Sequence, residues 1–187
     1  YRARFESFAN KNYTDENESY YSQRMDFDVS LTLGSRLRLF GELYHGLTTG
    51  EDRIVEDDVV ALHQGFAEFI FVKKDSSSVM LRLGRQEIGF GASRLIGIRE
   101  GPNIRRSFDL AKLILKRGRS SVKIIYGKEI SEGFDAFDNS SNLFDDNASN
   151  PTIWGIYLQD NFIGKPGKLD FYYFGFNSPL ARFNDVI

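Results

Sequence analysis

The sequence predicts an all-β protein, an antiparallel up-and-down transmembrane β-barrel, on three observations. Apolar and polar residues alternate with a period of two over long stretches. The connections between these stretches alternate short and long. No segment carries the 3.6-residue period of an amphipathic helix, and no apolar run approaches the roughly 18 residues that a membrane-crossing helix needs. A mean hydropathy of -0.36 with 27% charged residues resembles a soluble protein. It also arises when one face of every strand meets lipid and the other meets water, because the two faces average out.

Nine strands follow from the alternation, at about 1–8, 20–33, 36–45, 60–73, 79–90, 109–117, 121–130, 151–161 and 168–177. In the first, Tyr1, Ala3 and Phe5 oppose Arg2, Arg4 and Glu6. In the second, odd positions from Tyr21 to Leu33 are almost wholly apolar, and even positions from Ser22 to Thr32 are all polar. The third sets Leu37, Leu39, Gly41 and Leu43 against Arg38, Phe40, Glu42 and Tyr44. The fourth has an ambiguous phase, with Phe66 and Phe69 on opposite faces, which a bulge reconciles. Arg82 opposes Leu81 and Leu83 in the fifth. Val122, Ile124 and Tyr126 share a face of the seventh; Leu169, Phe171 and Tyr173 oppose Asp170, Tyr172 and Phe174 in the ninth. Gly34-Ser35, Lys74 to Ser78, Gly118 to Ser120 and Phe162 to Gly167 are the short connections. Residues 9–19, 46–59, 91–108 and 131–150 are long and polar, as external loops are.

Alternation alone also fits a soluble antiparallel sheet with one solvated face. Strand length, the loop alternation and 14% aromatic residues favour the barrel. Its faces then invert the soluble rule, since a charge against hydrocarbon costs about 2–4 kcal/mol at the bilayer midplane. Arg24, Asp26, Asp28, Arg38, Glu42 and Arg82 are expected to face the lumen. Met25, Phe27, Val29, Leu31, Leu37, Leu39 and Leu81 are expected to face lipid. The aromatics Phe69, Phe71, Tyr157, Tyr172 and Phe174 read as an interfacial girdle or lipid face in preference to a sugar-stacking track.

Composition excludes several functions. The absence of cysteine removes disulfides, thiolate chemistry and zinc fingers. A net charge of -2 gives no footprint for nucleic acid. His45 and His63 sit on different strands, and no nucleophile-elbow motif is present, so no catalytic residue is expected. Asp135, Asp138, Asp145 and Asp146 form an oxygen-rich loop that offers a weak Ca²⁺ site without calcium-loop spacing. No other cofactor or metal is expected. The sequons at Asn12, Asn17, Asn139 and Asn147 read as chance matches.

Between Leu81 and Asp109 a strand enters a glycine-punctuated loop that carries Arg94, Arg99, Glu100, Asn103, Arg105 and Arg106, then re-enters a strand. A barrel pore builds a constriction in this way. The words GRQEIGFGASRL and IREGPNIRRSFD resemble the alginate-export family of bacterial outer-membrane barrels. Gln23-Arg24-Met25, Leu39-Phe40-Gly41-Glu42-Leu43, His63-Gln64-Gly65-Phe66 and Phe134-Asp135 support the likeness.

The resemblance implies a closed barrel of roughly 16–18 strands. The nine strands are then about half of one, and residues 1–187 form a single barrel domain that is a fragment. It also implies passive movement of an anionic polysaccharide or oligosaccharide such as alginate across the outer membrane. Arg85, Arg94, Arg99, Arg105 and Arg106 occupy the matching motif positions, with Arg24, Arg38 and Arg82 on the lumen face. Guanidinium groups suit this work because they offer planar, permanently charged donors to sugar carboxylates. The competing reading of these arginines is that they pin the loop to Glu87, Glu100 and Asp109. Implied partners are outer-membrane lipid and lipopolysaccharide, the polysaccharide, and proteins of an envelope complex. A structural barrel that assembles such a complex without transporting anything is the alternative reading. The mixed charge of the lumen face equally suits a neutral or modestly charged oligosaccharide.

Overall fold

The computed structural model describes residues 2–8, 18–49, 58–101, 103–131, 136–141, 150–160 and 169–178, with side chains from Tyr21 onward. The strands are β1 (Arg2–Phe8), β2 (Glu18–Leu33), β3 (Leu37–Thr49), β4 (Asp58–Lys74), β5 (Ser77–Gln86), β6 (Phe108–Arg117), β7 (Ser120–Glu129), β8 (Thr152–Asp160) and β9 (Leu169–Asn177). They form one sheet in the order β1 to β9, each strand antiparallel to its neighbours in sequence, with no helix among the described residues. This is a partial β-barrel of up-and-down topology. Among the described residues the short turns each contain a residue with positive φ, namely Gly34 (63°), Asp75 (39°) and Gly118 (58°), and the connection expected at Phe162 to Gly167 lies outside the described residues. Two of the three are glycine, which reaches that conformation without strain.

The two faces sort as the sequence phase predicts. Register places Asp28 opposite Glu42, Thr32 opposite Arg38, Arg38 opposite Glu68, and Glu68 opposite Arg82, so these polar residues share one face. The other face exposes Met25, Phe27, Val29, Leu31 and Leu39, with Phe27 at 66%. It continues through Leu83, Ile124, Tyr126, Trp154, Ile156, Phe171 and Tyr173. An apolar surface of this extent is unlike that of a soluble monomer and suits lipid. The bulge expected in β4 exists, as a register shift where Gln64 pairs Glu42 and Leu62 pairs Leu43. It brings His63 inward against Tyr44, and Phe66 and Phe69 remain on opposite faces.

Two expectations need correction. β5 ends at Gln86, where the sequence suggested a strand to about residue 90. From Glu87 the chain turns inward, and Ile88 and Phe90 pack with Phe108, Leu110, Ile125, Ile153 and Tyr157. Burial of these side chains outweighs continued ladder pairing. The aromatic girdle also divides. Phe69 faces lipid opposite Leu81, whereas Tyr157, Tyr172 and Phe174 follow Lys123 onto the lumen face. Leu110 and Phe174 lie over Gly127 and Gly155, where any side chain would collide with the neighbouring strand.

Candidate functional site: a loop anchored across the lumen face

The loop Glu87–Ser107 lies against the lumen face from β8 to β2. Its first half is held by the apolar cluster around Phe90 and Phe108 and by a bridge between Phe90 and Ile96, with Phe90 N donating to Ile96 O at 2.9 Å. Arg106 N then donates to Ile98 O at 2.9 Å. Ala92, Ser93 and Arg99 adopt positive φ beside Gly91, so the loop has a tightly folded backbone in spite of its length.

The far end is anchored by Asn103, whose side chain is fully buried. Its Nδ2 donates to Gln23 O in β2 at 3.0 Å. Its own carbonyl accepts from Arg24 Nη1 at 3.4 Å and from the Tyr44 hydroxyl. Arg105, 14% exposed, stands among four carboxylates, at 2.7 Å from Glu42, 3.0 Å from Glu87, 3.4 Å from Glu100 and 3.7 Å from Asp26. Its Nη2 donates to Glu42, whereas the approach of Nε to Glu87 is a charge contact without hydrogen-bond geometry. Arg24 adds contacts to Asp26 at 3.5 Å and Glu100 at 3.6 Å. His63 Nε2 lies 2.8 Å from Glu87, and Gln64 donates to Glu42 at 2.6 Å and accepts from Glu87 N at 3.2 Å. Both ends of the loop thus share one ionic network with β2, β3 and β4.

Electrostatics follow from this crowding. Burial disfavours ionised Glu87, but the His63 hydrogen bond and the Arg105 charge outweigh it and hold the carboxyl below its ordinary range. Burial also disfavours charged Arg105, and the surrounding carboxylates Glu87, Glu42, Asp26 and Glu100 more than offset it. Arg105 is therefore a mostly covered cation that pins the loop to the carboxylates around it. Its removal leaves buried Glu42 and half-buried Glu87 without their shared cation.

The remaining sequence-predicted arginines differ in what they face. Arg82 and Arg106 are on the lumen side with carboxylates, Arg82 at 2.6 Å from Glu68 and Arg106 Nε at 2.6 Å from Glu129. Arg38 donates to Ser30 at 3.0 Å, and with Arg82 it flanks the stacked rings of Phe40 and Phe66. Arg94 and Arg99 are exposed and make no ion pair among the described residues. Arg85 stands apart, sharing the face of Leu81 and Leu83. Its Nε and Nη2 pair with the two oxygens of Asp109 at 3.1 and 3.2 Å.

Arg85 serves an edge. Where β5 departs into the lumen, the outer half of β4 loses its neighbour, and backbone carbonyls in such a position need new donors. Arg85 Nη1 donates to Leu62 O at 3.0 Å, and Phe137 N donates to Val60 O at 2.8 Å. Asn139 ties the same segment to Asp58 at 2.8 Å, and Ser141 donates to Asp109 at 2.7 Å. Of the acidic residues considered for Ca²⁺, Asp138 lies in this segment, and Asp135, Asp145 and Asp146 lie outside the described residues.

Sequence reasoning missed the lysines. Lys112, buried on β6, lies beside Arg82, Lys123 and Glu68, and makes no salt bridge among the described residues. With Glu87, Phe90 and Ile114 these cations line a cavity of about 110 Å³ under the loop. A lone lysine between Leu110 and Ile114, in a strand apolar on both faces, was the available signal.

Residues 1–186 match the alginate-export family. The chain belongs to that family. No curated protein and no solved structure matches it. Family membership makes it an outer-membrane β-barrel with a general role in polysaccharide export. The inverted faces of the sheet agree.

Proposed function

We propose that this chain forms one wall of a passive outer-membrane channel for an anionic polysaccharide, with the loop Glu87–Ser107 as its constriction. The observation that carries this reading is the anchoring of the loop on β2 and β3 through Asn103 and Arg105. A loop fixed at both ends narrows a pore without sealing it by collapse. Exposed Arg94 and Arg99 supply donors for sugar carboxylates, while paired Arg24, Arg82, Arg105 and Arg106 hold the loop and the wall. Weak, repeated contacts of this kind let a charged polymer enter and also leave. Lipid and lipopolysaccharide surround the barrel in this reading, and no catalytic step is involved.

The test is conductance of the full-length protein in planar bilayers. Anion-selective channels that an oligouronate blocks reversibly are expected. A sealed barrel would reject transport in favour of a structural role in an envelope complex.

A further inference from the structure

The inner face of β9 reads Asp170, Tyr172, Phe174 and Phe176, three aromatics where a wet lumen favours polar groups. They adjoin Tyr157 of β8 and Phe90 of the loop. Phe174 lies nearly parallel to Tyr157, with ring centres 6.5 Å apart and planes at 16°. Tyr172 continues the stack at 5.8 Å and 23°. Phe90 meets Tyr157 at 5.0 Å and Phe174 at 5.3 Å. The glycine at 155 leaves the space that Phe174 fills. Buried rings thus support an open one, since Tyr172 is 55% exposed whereas Tyr157 is almost fully covered.

Polar groups rim this surface. Lys123 Nζ stands 5.6 Å from the centres of both Phe90 and Tyr157. Lys123, Tyr157 and Tyr172 occupy one cross-strand row. Gln159 donates to Asp170 at 3.3 Å at the opposite margin. A flat ring platform with a cation on one side and hydrogen-bonding groups on the other matches a pyranose, whose C–H face is apolar and whose edge is polar.

We infer that the lumen wall of β8 and β9 is a pyranose-stacking subsite, in which a uronate ring lies on Tyr172 and Phe174 with its carboxylate directed toward Lys123. The inference rests on the channel reading above and adds ring recognition to charge recognition. A pore that only attracts charge does not distinguish a uronate from any other anion; this subsite does.

Full-length protein in planar bilayers tests it, with reversible current block by an oligouronate, by a neutral oligosaccharide of equal length and by an oligoaspartate as probes. Tyr172→Ala is expected to weaken block by both saccharides about tenfold, to leave oligoaspartate block and open-channel selectivity unchanged, and to be rescued by Tyr172→Trp. A Tyr172→Cys variant is expected to react with a water-soluble thiol reagent and to be protected by the oligouronate. Conducting channels in which Tyr172→Ala leaves saccharide block intact overturn this subsite and spare the channel reading. A Tyr172→Cys variant that does not react also overturns it, because another part of the chain then covers the ring. A wild-type barrel that does not conduct removes both.

Discussion

Two walls of the same lumen treat charge in opposite ways. On β2 to β4, Arg24 and Arg105 stand among Asp26, Glu42, Glu87 and Glu100, and the loop tip is fixed by their mutual neutralisation. On β6 and β7, Lys112 and Lys123 lie beside Arg82, and the nearby carboxylate of Glu68 is already engaged by that arginine at 2.6 Å. The arginine-rich wall is therefore a fastening, whereas on the other wall Lys112 has no salt bridge of its own among the described residues. A count of arginines in a sequence does not measure positive potential, because a buried guanidinium usually brings its own carboxylates.

The most severe way to break this contrast is Arg105→Ala. It leaves Glu42, Glu87 and Asp26 without their shared cation, and a cost of about 3–5 kcal/mol is expected. A lower urea midpoint for the folded barrel, together with larger and noisier single-channel conductance, would show that the loop tip has come free. Unchanged stability would mean that Asn103 alone secures the loop.

Lys112→Met is the matching change on the other wall. Replacing a buried lysine that has no salt bridge of its own by an apolar side chain of similar length is expected to be neutral or stabilising. The reversal potential in a salt gradient should meanwhile shift away from anion preference. A loss of stability as large as that of Arg105→Ala would erase the distinction between the walls.

Acidification sharpens it more gently. The Glu87 carboxyl titrates below its ordinary value of 4.5 in the folded state, so its contribution is complete above that pH and is lost as pH falls further. Loop fluctuations seen as current noise should therefore rise as pH falls below the ordinary carboxylate range. Glu87→Gln should abolish that rise. The smallest effect is expected for Arg94→Ala with Arg99→Ala, both exposed, where stability changes by no more than about 0.5 kcal/mol and anion selectivity alone declines.

The fold was largely legible in the chain. Strict alternation in β2 and β3 defined both faces, and the glycines at 34 and 118 marked turns that the structure contains. The inward course of the loop was legible in its glycines and arginines as a possibility, but its anchors were not. Arg105 meets Glu42 across 63 residues and Arg24 meets Asn103 across 79, and no local pattern encodes such pairs. Arg85 shows the limit best. It belongs to the motif that suggested a pore, yet alternation puts it on the face of Leu81 and Leu83, where it completes a strand edge. For Tyr157 and Tyr172 the sequence supplied aromatic character, and only register supplied the side.

The departure of β5 at Gln86 also has a consequence for assembly. The gap it leaves beside β4 is closed by Phe137 and Asn139, which follow two further strands and a turn in the chain. That stretch of wall cannot seal when β4 and β5 first pair. It seals only after β6 and β7 have been laid down and the chain has doubled back, so a barrel stalled at β7, before residues 136–141 have docked, carries a lateral opening toward lipid. Material arriving late in the chain thus checks that the loop has already gone inside, and a loop left outside would occupy the seam that residues 136–141 must fill.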